Sequence, residues 1–509
     1  MLWQTPNPMN SRLREPLPSL TLNRRSGTPL YRQLYEAYRQ AILSGQLRAG
    51  AQLPSTRDLA RELGISRNTA MYAFDQLLAE GYVRGEVGSG TFVESGLIGK
   101  EGSAVGIQSL VHPRVEFSRE ILRTSRVTQL AASLPAIPFR TGLPALDRFP
   151  LKVWSRVVAW ASRRASSRDL NYGEPQGDLH FRSTIADYLR HFRAVKCEPE
   201  QIFILSGSQQ ALHLVARMIL SDGDPAWIED PCYPGIRWVL LALGARTISV
   251  PVDDQGMEVE RAIELHKAPK LIYVTPSHQF PLGVTMSLGR RLALLNYARK
   301  VGSWVVEDDY DSEFRFSGRP LSSLQGLSPE CVIYIGTFSK SLFPALRLGY
   351  VVLPQQLVDA FSDFRRATDY CAPYLTQAAV NQFIIDGHFA HHLRQMRALY
   401  SERQSVMLGA LRRHFGDHLW VKSADTGMNL LAWLPESVSG RRASQLASGR
   451  GLLTIPLSLF YTSPPPRDGL FLGFAAINRQ RIKDGVETLA KALNDVLNLR
   501  RNIAKKTFT

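Results

Sequence analysis

The sequence of 509 residues has little cysteine and no uninterrupted apolar run long enough to cross a bilayer. Its four cysteines, Cys197, Cys232, Cys331 and Cys371, lie far apart, which fits neither a disulfide framework nor the spacing of a zinc site. A membrane-spanning helix needs about 20 consecutive apolar residues, and residues 1–16 lack the apolar core of a secretory signal. We therefore expect a cytoplasmic protein with no membrane span and no bound metal.

Lysine is missing from the first 95 residues, although the whole chain carries a formal net charge of +16. Residues 1–95 contain 11 Arg and 8 acidic residues, so their net charge is +3 and the remaining +13 lies farther along the chain. A basic balance fits a polyanionic partner. This distribution does not by itself locate a nucleic-acid site.

The length allows two or three separate cores. Residues 1–27 are polar and rich in Pro, Arg and Ser, which predicts a flexible arm. Residues 28–94 are compactly patterned and predict a first domain. Residues 95–134 show no clear turn chemistry and predict a linker, with one helix around residues 116–130.

Residues 135–500 alternate short runs rich in β-branched residues with helical stretches, such as QIFIL, KLIYVT and SWVVEDD. This alternation predicts an α/β domain with a mostly parallel sheet covered on both faces. The pattern becomes more helical near residue 390. We therefore expect a large subdomain to about residue 389 and a small subdomain over residues 390–500.

The segment LPSTRDLARELGISRNTAMYAFDQLLAEGYV predicts two short helices. Ser55 or Thr56 can cap the first, Gly64 supplies the turn, and Ser66 can cap a second helix over Arg67–Glu80. Two helices joined by a short turn with glycine form the helix-turn-helix arrangement, whose second helix enters the major groove of DNA. The sequence YVRGEVGSGTFV then predicts a two-stranded wing.

Taken alone, this pattern is equally typical of a small helical bundle with a polar surface. Over about 65 residues, however, the motifs LPSTRDLARELGISRNT, AEGYV and GSGTFV resemble the winged-helix domain of GntR-type regulators. The resemblance implies double-stranded DNA as a partner. It places these residues at the DNA: Arg57, Ser66, Arg67, Asn68, Thr69 and Gly90.

Three constellations in the longer domain fit one ligand. SGSQQAL follows a strand and begins a helix, where free backbone N–H groups bind anions. SWVVEDD brings acidic residues to the end of a strand, and GTFSKSLFPALRLGY places Lys340 seven residues before Arg347. A phosphate cradle, a carboxylate for a pyridine nitrogen and a nucleophilic amine are the groups that pyridoxal 5'-phosphate requires.

These motifs, with TGLPALDRFP, EDPCYPG and TPSHQFPLG, resemble the fold-type-I aminotransferases over residues 135–500. Together with the first domain they resemble the MocR/GabR-type regulators over nearly the whole chain. The resemblance implies that Lys340 forms the Schiff base, Asp308 rather than Asp309 pairs with the pyridine nitrogen, and Tyr233 stacks on the ring. It implies further cofactor contacts by Gly207, Ser208, Gln209, Tyr310, Thr337 and Arg347, with His278 and Gln279 lining the site.

Two departures from the enzymes concern the ligand. Phe280 stands where many aminotransferases carry Asn, and Leu470 and Phe471 occupy the positions of an arginine that binds a substrate carboxylate. Arg467 lies just upstream. Three alternatives stay open: the effector lacks an α-carboxylate, another arginine such as Arg237 binds it, or the cofactor is itself the effector.

We expect a homodimeric transcription regulator that senses an amine, an amino acid or pyridoxal phosphate through imine exchange at Lys340. The alternative is an active pyridoxal-phosphate-dependent aminotransferase that carries a DNA-binding domain. A purely structural role for the second domain is a third hypothesis. It does not explain why Lys340, Asp308, Tyr233 and Arg347 occur together.

Overall fold

The structure is a computed structural model that describes residues 21–95, 137–316 and 321–497. It divides into two compact units, Met1–Glu116 and Phe117–Thr509. The helix expected around residues 116–130 lies outside the described residues. No helix in the described part of the chain combines the length and the apolar character that crossing a bilayer requires.

The first unit is a three-helix domain with a hairpin. Its core is formed by apolar side chains from all three helices, including Leu34, Leu59 and Phe74. Strands β1 and β2 pair antiparallel, with Val83 opposite Val93 and Glu86 opposite Gly90. The elements are α1 (Leu30–Leu43), α2 (Thr56–Leu63), α3 (Arg67–Ala79), β1 (Val83–Glu86) and β2 (Gly90–Val93).

Hydroxyl side chains begin the two helices of the predicted helix-turn-helix. The Ser55 hydroxyl accepts a hydrogen bond from the Asp58 N–H at 3.1 Å, so Ser55 rather than Thr56 caps α2. Gly64 ends α2 in the left-handed conformation, with φ +61°, which suits a residue without a Cβ. The Ser66 hydroxyl accepts from the Thr69 N–H at 3.1 Å and caps α3. The sequence therefore fixes both ends of the turn between these helices.

The second unit is built on an eight-stranded sheet with the order β3-β10-β9-β8-β7-β4-β5-β6. Strands β5, β4, β7, β8 and β9 run parallel, as expected, while β10 lies antiparallel between β3 and β9. The strands are β3 (Ile202–Leu205), β4 (Pro225–Asp230), β5 (Arg246–Asp253), β6 (Gly256–Met257), β7 (Leu271–Val274), β8 (Trp304–Asp309), β9 (Val332–Thr337) and β10 (Gly349–Val352).

Helices surround this sheet, and β3, β7, β9 and β10 are buried along their whole length because both of their faces are covered. The helices are α4 (Leu151–Arg164), α5 (Leu179–Arg193), α6 (Ser208–Ile219), α7 (Pro234–Ala242), α8 (Val259–Leu265), α9 (Leu288–Val301), α10 (Leu324–Leu327), α11 (Phe338–Ser341), α12 (Val358–Thr368), α13 (Tyr374–Ile385) and α14 (His388–Phe415).

The 28-residue helix α14 leads into a smaller antiparallel sheet with the order β11-β12-β14-β13. The helices α15 (Gly440–Ser448) and α16 (Arg479–Leu497) belong to this part of the unit. The strands are β11 (Trp420–Val421), β12 (Asn429–Trp433), β13 (Ile455–Pro456) and β14 (Gly469–Gly473). The change of pattern near residue 390 thus coincides with the start of α14.

Replacing Ser66 by Ala should lower the stability of the first unit by about 1 kcal/mol, because the Thr69 N–H loses its side-chain acceptor. Hydrogen exchange of residues 67–79 in the full chain measures this loss of stability, and a thermal unfolding curve gives the overall effect. Ser66→Asn keeps an N-cap acceptor and serves as the control. Equal protection of α3 in wild type and Ser66→Ala would show that the cap does not stabilise this helix.

Candidate functional site

Three consecutive acidic side chains end strand β8, and the strand alternation separates them. Glu307 and Asp309 point to one face and Asp308 to the other, since successive strand residues alternate. The carboxylate of Glu307 accepts the backbone N–H groups of Leu324 and Gln325, each at 3.0 Å, at the start of α10. This contact gives Glu307 a structural role.

Asp309 is also held by protein groups. Its Oδ2 accepts from Arg193 Nε at 2.7 Å and from the Ser312 hydroxyl at 2.9 Å, and the Tyr334 hydroxyl donates to the same oxygen. Arg193 is buried, so its charge and that of Asp309 compensate each other away from water. Asp309 is therefore engaged in the packing of α5 against the sheet.

Asp308 differs because one of its carboxylate oxygens accepts no hydrogen bond from the described residues. Its Oδ2 accepts from the Tyr273 hydroxyl at 2.8 Å, whereas its buried Oδ1 has no partner among the described residues. Burial raises the pKa of Asp308 to about 7. A buried acceptor without a partner is costly, and a cationic or N–H-bearing ligand group in the adjoining cavity would satisfy it.

Lys340 lies in α11, directly after strand β9. Its Nζ donates a hydrogen bond to the Gly142 carbonyl oxygen at 2.7 Å. Burial lowers the pKa of Lys340, and the negative charges of Asp311 and Asp308 partly oppose that shift. A buried amine with a lowered pKa is a better nucleophile toward an aldehyde than an exposed lysine.

The start of α6 forms the anion-binding end of the cavity. Gly207 precedes the helix with φ +103°, and a Cβ placed there would lie 3.6 Å from Arg347 Nη2. The guanidinium therefore lies close to the free N–H groups at the helix start. Thr337 is buried nearby, and its hydroxyl accepts from the Ser339 N–H at 3.1 Å.

Aromatic side chains form the walls. The Tyr233 hydroxyl donates to Gln209 Oε1 at 3.2 Å, and burial raises the pKa of Tyr233 to about 12. Phe280 packs edge-on against both Tyr233 and Tyr310, with ring centroids 5.9 and 5.8 Å apart. The Tyr310 hydroxyl donates to the His278 carbonyl oxygen at 3.0 Å. Tyr233, Phe280 and Tyr310 thus form an aromatic part of the cavity wall.

These groups surround a cavity of about 200 Å³. Eight of the nine residues expected at the cofactor line it, and the ninth, Gly207, lies against Arg347. The eight are Ser208, Gln209, Tyr233, Asp308, Tyr310, Thr337, Lys340 and Arg347. The structure thus brings the three sequence constellations to one place, while the role of each residue stays a prediction.

His278 and Gln279 lie behind the cavity rather than on its surface. His278 Nδ1 is 3.0 Å from both carboxylate oxygens of Asp311, and its ring lies against Tyr310. The Gln279 amide donates to the Pro231 carbonyl oxygen at 2.7 Å. The expectation that these two residues line the site is wrong, because local hydrogen bonds hold them in the surrounding layer.

Several lining residues were missed by the sequence analysis. Gly142 and Asn429 come from distant segments, and the Asn429 Oδ1 accepts from the Gly142 N–H at 3.3 Å. The recognised motif TGLPALDRFP contains Gly142 and could have indicated it. Nothing in the local sequence distinguishes Asn429. The remaining missed residues are Ser339, Pro344 and Met428.

The two arginines considered for an effector carboxylate are engaged elsewhere. Arg237 Nη1 donates to the carbonyl oxygens of Phe460 at 3.2 Å and Tyr461 at 3.1 Å. Arg467 Nε donates to the Leu434 carbonyl oxygen at 3.0 Å, and its guanidinium lies over the Trp433 ring. Lys340 and Arg347 are the cationic side chains among the described residues that line the cavity.

Phe471 packs edge-on against Phe280, with a centroid distance of 5.3 Å, and against Phe460 at 5.6 Å. An aromatic cluster thus includes Phe471, one of the two positions that the resemblance to aminotransferases assigns to a carboxylate-binding arginine. The arrangement favours the first or third of the alternatives left open by the sequence over binding by Arg237.

In the first unit, the residues expected at DNA lie on α2, α3 and the wing. Arg57, Arg67 and Asn68 are exposed, and Thr69 is partly exposed. The Ser66 and Thr69 hydroxyl oxygens are 2.8 Å apart, so both side chains also stabilise the start of α3.

Gly90 begins β2 with φ +116°, and a Cβ placed there would lie 2.9 Å from Gln52 Nε2. The same amide donates to the Ser89 carbonyl oxygen at 2.7 Å. Gln52 also forms a β-bridge with Phe92 and so extends the two-stranded wing that the sequence predicts. Glycine is favoured at position 90 because residues with a Cβ rarely adopt φ +116°, whereas the flexible Gln52 side chain could move aside.

Comparison with known proteins agrees with both units. Residues 139–489 match the family "Aminotransferase class I and II", and residues 30–93 match "Bacterial regulatory proteins, gntR family". The chain is 39% identical over 488 residues to the probable rhizopine catabolism regulatory protein MocR of Rhizobium meliloti, covering 93% of this chain and 95% of that protein. It is 30% identical to the pyridoxine biosynthesis transcriptional regulator PdxR of Corynebacterium glutamicum, covering 91% and 96%.

The solved structures that resemble the second unit include aminotransferases. LysN, the α-aminoadipate aminotransferase of Thermus thermophilus crystallised with N-(5'-phosphopyridoxyl)-L-leucine, superposes with a TM-score of 0.68 and 29% identity. The match covers 75% of this chain and 98% of that chain.

The open carboxylate of Asp308 has a predictable effect on stability in the cofactor-free protein. Folded Asp308 keeps its proton up to about pH 7, whereas the unfolded carboxyl loses it near its ordinary pKa of 3.8. Between these values the folded state binds the extra proton, so the free energy of unfolding decreases as pH rises. Asp308→Asn removes this contribution, while the other buried carboxyls remain in both proteins.

We therefore expect the unfolding free energy of wild type, minus that of Asp308→Asn, to fall between about pH 4 and pH 7, by at most about 1.4 kcal/mol per pH unit. Urea titrations at several pH values measure this difference. The exposed variant Asp417→Asn removes one carboxylate outside the cavity and serves as the control. A pH-independent difference for Asp308→Asn would contradict a raised pKa.

Proposed function

This chain belongs to the MocR-type transcription regulators, in which a GntR-family DNA-binding domain precedes a class I and II aminotransferase domain, and we propose that it couples operator binding to pyridoxal 5'-phosphate held at Lys340. The observation that supports this proposal most directly is the cavity in which Lys340, Arg347 and the open oxygen of Asp308 lie together. The same chain carries exposed residues on a DNA-recognition helix.

The residues present fit pyridoxal phosphate. The unpartnered Oδ1 of Asp308 suits a protonated ring nitrogen, and the N–H groups after Gly207, beside the Arg347 guanidinium, suit a phosphate dianion. The partly buried Lys340, whose pKa is lowered by burial, suits an aldehyde. A cationic ring partner would also relieve the cost of the open acceptor on Asp308.

When bound, pyridoxal phosphate supplies an aldehyde that reacts reversibly with amines and a ring that withdraws electrons. Lys340 would bind that aldehyde and compete with an incoming amine. Asp308 would hold the proton at the ring nitrogen, with Tyr273 fixing its carboxylate. Tyr233 would pack against the ring and Tyr310 would donate to the ring hydroxyl.

The effector is an amine, an amino acid or pyridoxal phosphate itself, and its binding shifts the protein between states of different operator affinity. The names of the relatives MocR and PdxR connect those proteins with rhizopine catabolism and with pyridoxine biosynthesis. A homodimer with two recognition helices would bind paired operator half-sites. A cytoplasmic location follows from this role on DNA.

A second candidate function is catalytic transamination. It is favoured by the retention of Lys340 and Asp308 in one cavity and by similarity to aminotransferases such as LysN. Repeated turnover of an amino donor with a keto acid would support this function. A single conversion of bound cofactor without turnover would support the regulator.

Replacing Lys340 by Ala should abolish the visible absorbance of the covalently held cofactor, because no other lysine lines the cavity among the described residues. Borohydride reduction followed by peptide mass spectrometry should label the Lys340 peptide in wild type and leave Lys340→Ala unlabelled. Lys270→Ala, at an exposed lysine, should behave as wild type. A reducible chromophore in Lys340→Ala would refute the assignment.

Replacing Arg67 by Ala should weaken binding to an operator duplex, selected from random sequences by the full chain, by roughly 10- to 100-fold. The exposed side chain begins the recognition helix, and its loss removes a base or phosphate contact. Cofactor absorbance provides the internal control and should not change. Wild-type operator affinity in Arg67→Ala would remove this residue from the interface.

A further inference from the structure

All the charged residues of helix α4 and its flanks are positively charged. Residues 148–168 contain six Arg or Lys residues and no Asp or Glu. The whole chain has a net charge of +16, of which residues 1–95 supply only +3. Most of the excess positive charge therefore lies outside the recognised DNA-binding domain, and α4 is one place where it accumulates.

Three of these cations share one face of α4. Lys152, Arg156 and Arg163 are separated by four and seven residues, which places them in one row along a helix. The row is about 16 Å long, given a rise of about 1.5 Å per residue. All three side chains are exposed. We call these residues the α4 basic row.

The described residues supply no carboxylate within ion-pair distance of the α4 basic row. Some exposed arginines of this unit are paired, as Arg261 is with Glu264 at 2.6 Å and Arg190 is with Glu198 at 3.7 Å, so ion pairing at the surface is available but, in the described part of the chain, does not occur at the α4 basic row. The charge of the row is therefore not neutralised by neighbouring side chains.

The α4 basic row also borders a groove of about 370 Å³, to which Gln382, Asp386 and His388 contribute. Asp386 is the acidic side chain that lines this groove, and its Oδ1 accepts from the Gln382 amide at 2.6 Å. One exposed carboxylate leaves the groove with a net positive charge, since Arg156 and Arg163 line it too. Such a surface suits a polyanion with regularly spaced charges.

We propose that the α4 basic row binds the phosphate backbone of double-stranded DNA and so provides a contact separate from the recognition helix and the wing. Duplex DNA carries about one negative charge per 1.7 Å of axis, so a 16 Å row faces several phosphates. The contact carries no sequence information, because it involves phosphates rather than base edges. It increases the affinity for DNA and lengthens the bound stretch of duplex, while the first domain recognises the base sequence.

Salt dependence tests this proposal, because each phosphate contact contributes about 0.9 to the slope of log K against log salt concentration. The triple variant Lys152→Gln, Arg156→Gln, Arg163→Gln should lower the magnitude of the slope by about 2–3 for full-length protein on a 60-base-pair duplex that contains the operator. Fluorescence anisotropy between 50 and about 300 mM salt gives the slope. Cofactor absorbance should stay unchanged.

The matched control is the triple variant Arg412→Gln, Arg413→Gln, Lys422→Gln. It removes the same total charge from exposed positions on a different part of the same unit. A similar change of slope in both triples would overturn the proposal, since net charge alone would then explain the effect. An unchanged slope in the α4 triple would overturn it as well.

A third experiment distinguishes binding of DNA by the α4 basic row from binding of a protein partner. Light scattering of the α4 triple should give the oligomeric state of wild type, and a changed state would mean that the α4 basic row binds another copy of the chain. In the Arg67→Ala background, binding to a duplex without operator should still weaken when the row is removed. Loss of that difference would refute a phosphate contact independent of the recognition helix.

Discussion

Burial of three carboxylates at the end of β8 is the constraint on which the second unit depends. A charge removed from water is tolerated when it is paired or hydrogen-bonded. Glu307 meets this requirement at the start of α10 and Asp309 meets it through Arg193, so the two residues fix neighbouring helices to the sheet. Asp308, on the opposite face, is left with one open oxygen. Protein groups therefore hydrogen-bond the carboxylates of Glu307 and Asp309, and one oxygen of Asp308 remains available to a ligand.

The sequence predicted those site residues whose functional groups directly follow a strand of the sheet. Each constellation around the cavity follows a strand of the parallel sheet, and parallel strands deliver their ends to a common edge. The preference for Asp308 over Asp309 agrees with their observed partners. In the first unit, Ser66 and Gly64 act locally, so the ends of the helices could be predicted from the sequence.

The sequence was less informative where a contact joins distant segments. Tyr273 and Asn429 are strand residues without a distinctive neighbourhood, and tertiary packing alone brings Tyr273 to Asp308 and Asn429 to the cavity. Arg237 was a reasonable candidate for binding a carboxylate, but its Nη1 donates to two backbone carbonyl oxygens and the residue does not line the cavity. His278 and Gln279 were misplaced for a related reason, because a polar residue next to a site often serves its supporting layer instead.

The hydrogen bond from Lys340 to the Gly142 carbonyl joins the side-chain amine to a segment near the first described residues of the second unit. An ammonium group has three hydrogens to donate, and a nitrogen bonded to a second carbon atom has fewer. Covalent modification of Lys340 would leave the nitrogen with fewer hydrogens to donate to the Gly142 carbonyl, whereas the Gly142 N–H donates to Asn429 in either state. The backbone around Gly142 therefore has different hydrogen-bond partners when the amine is free and when it is covalently modified.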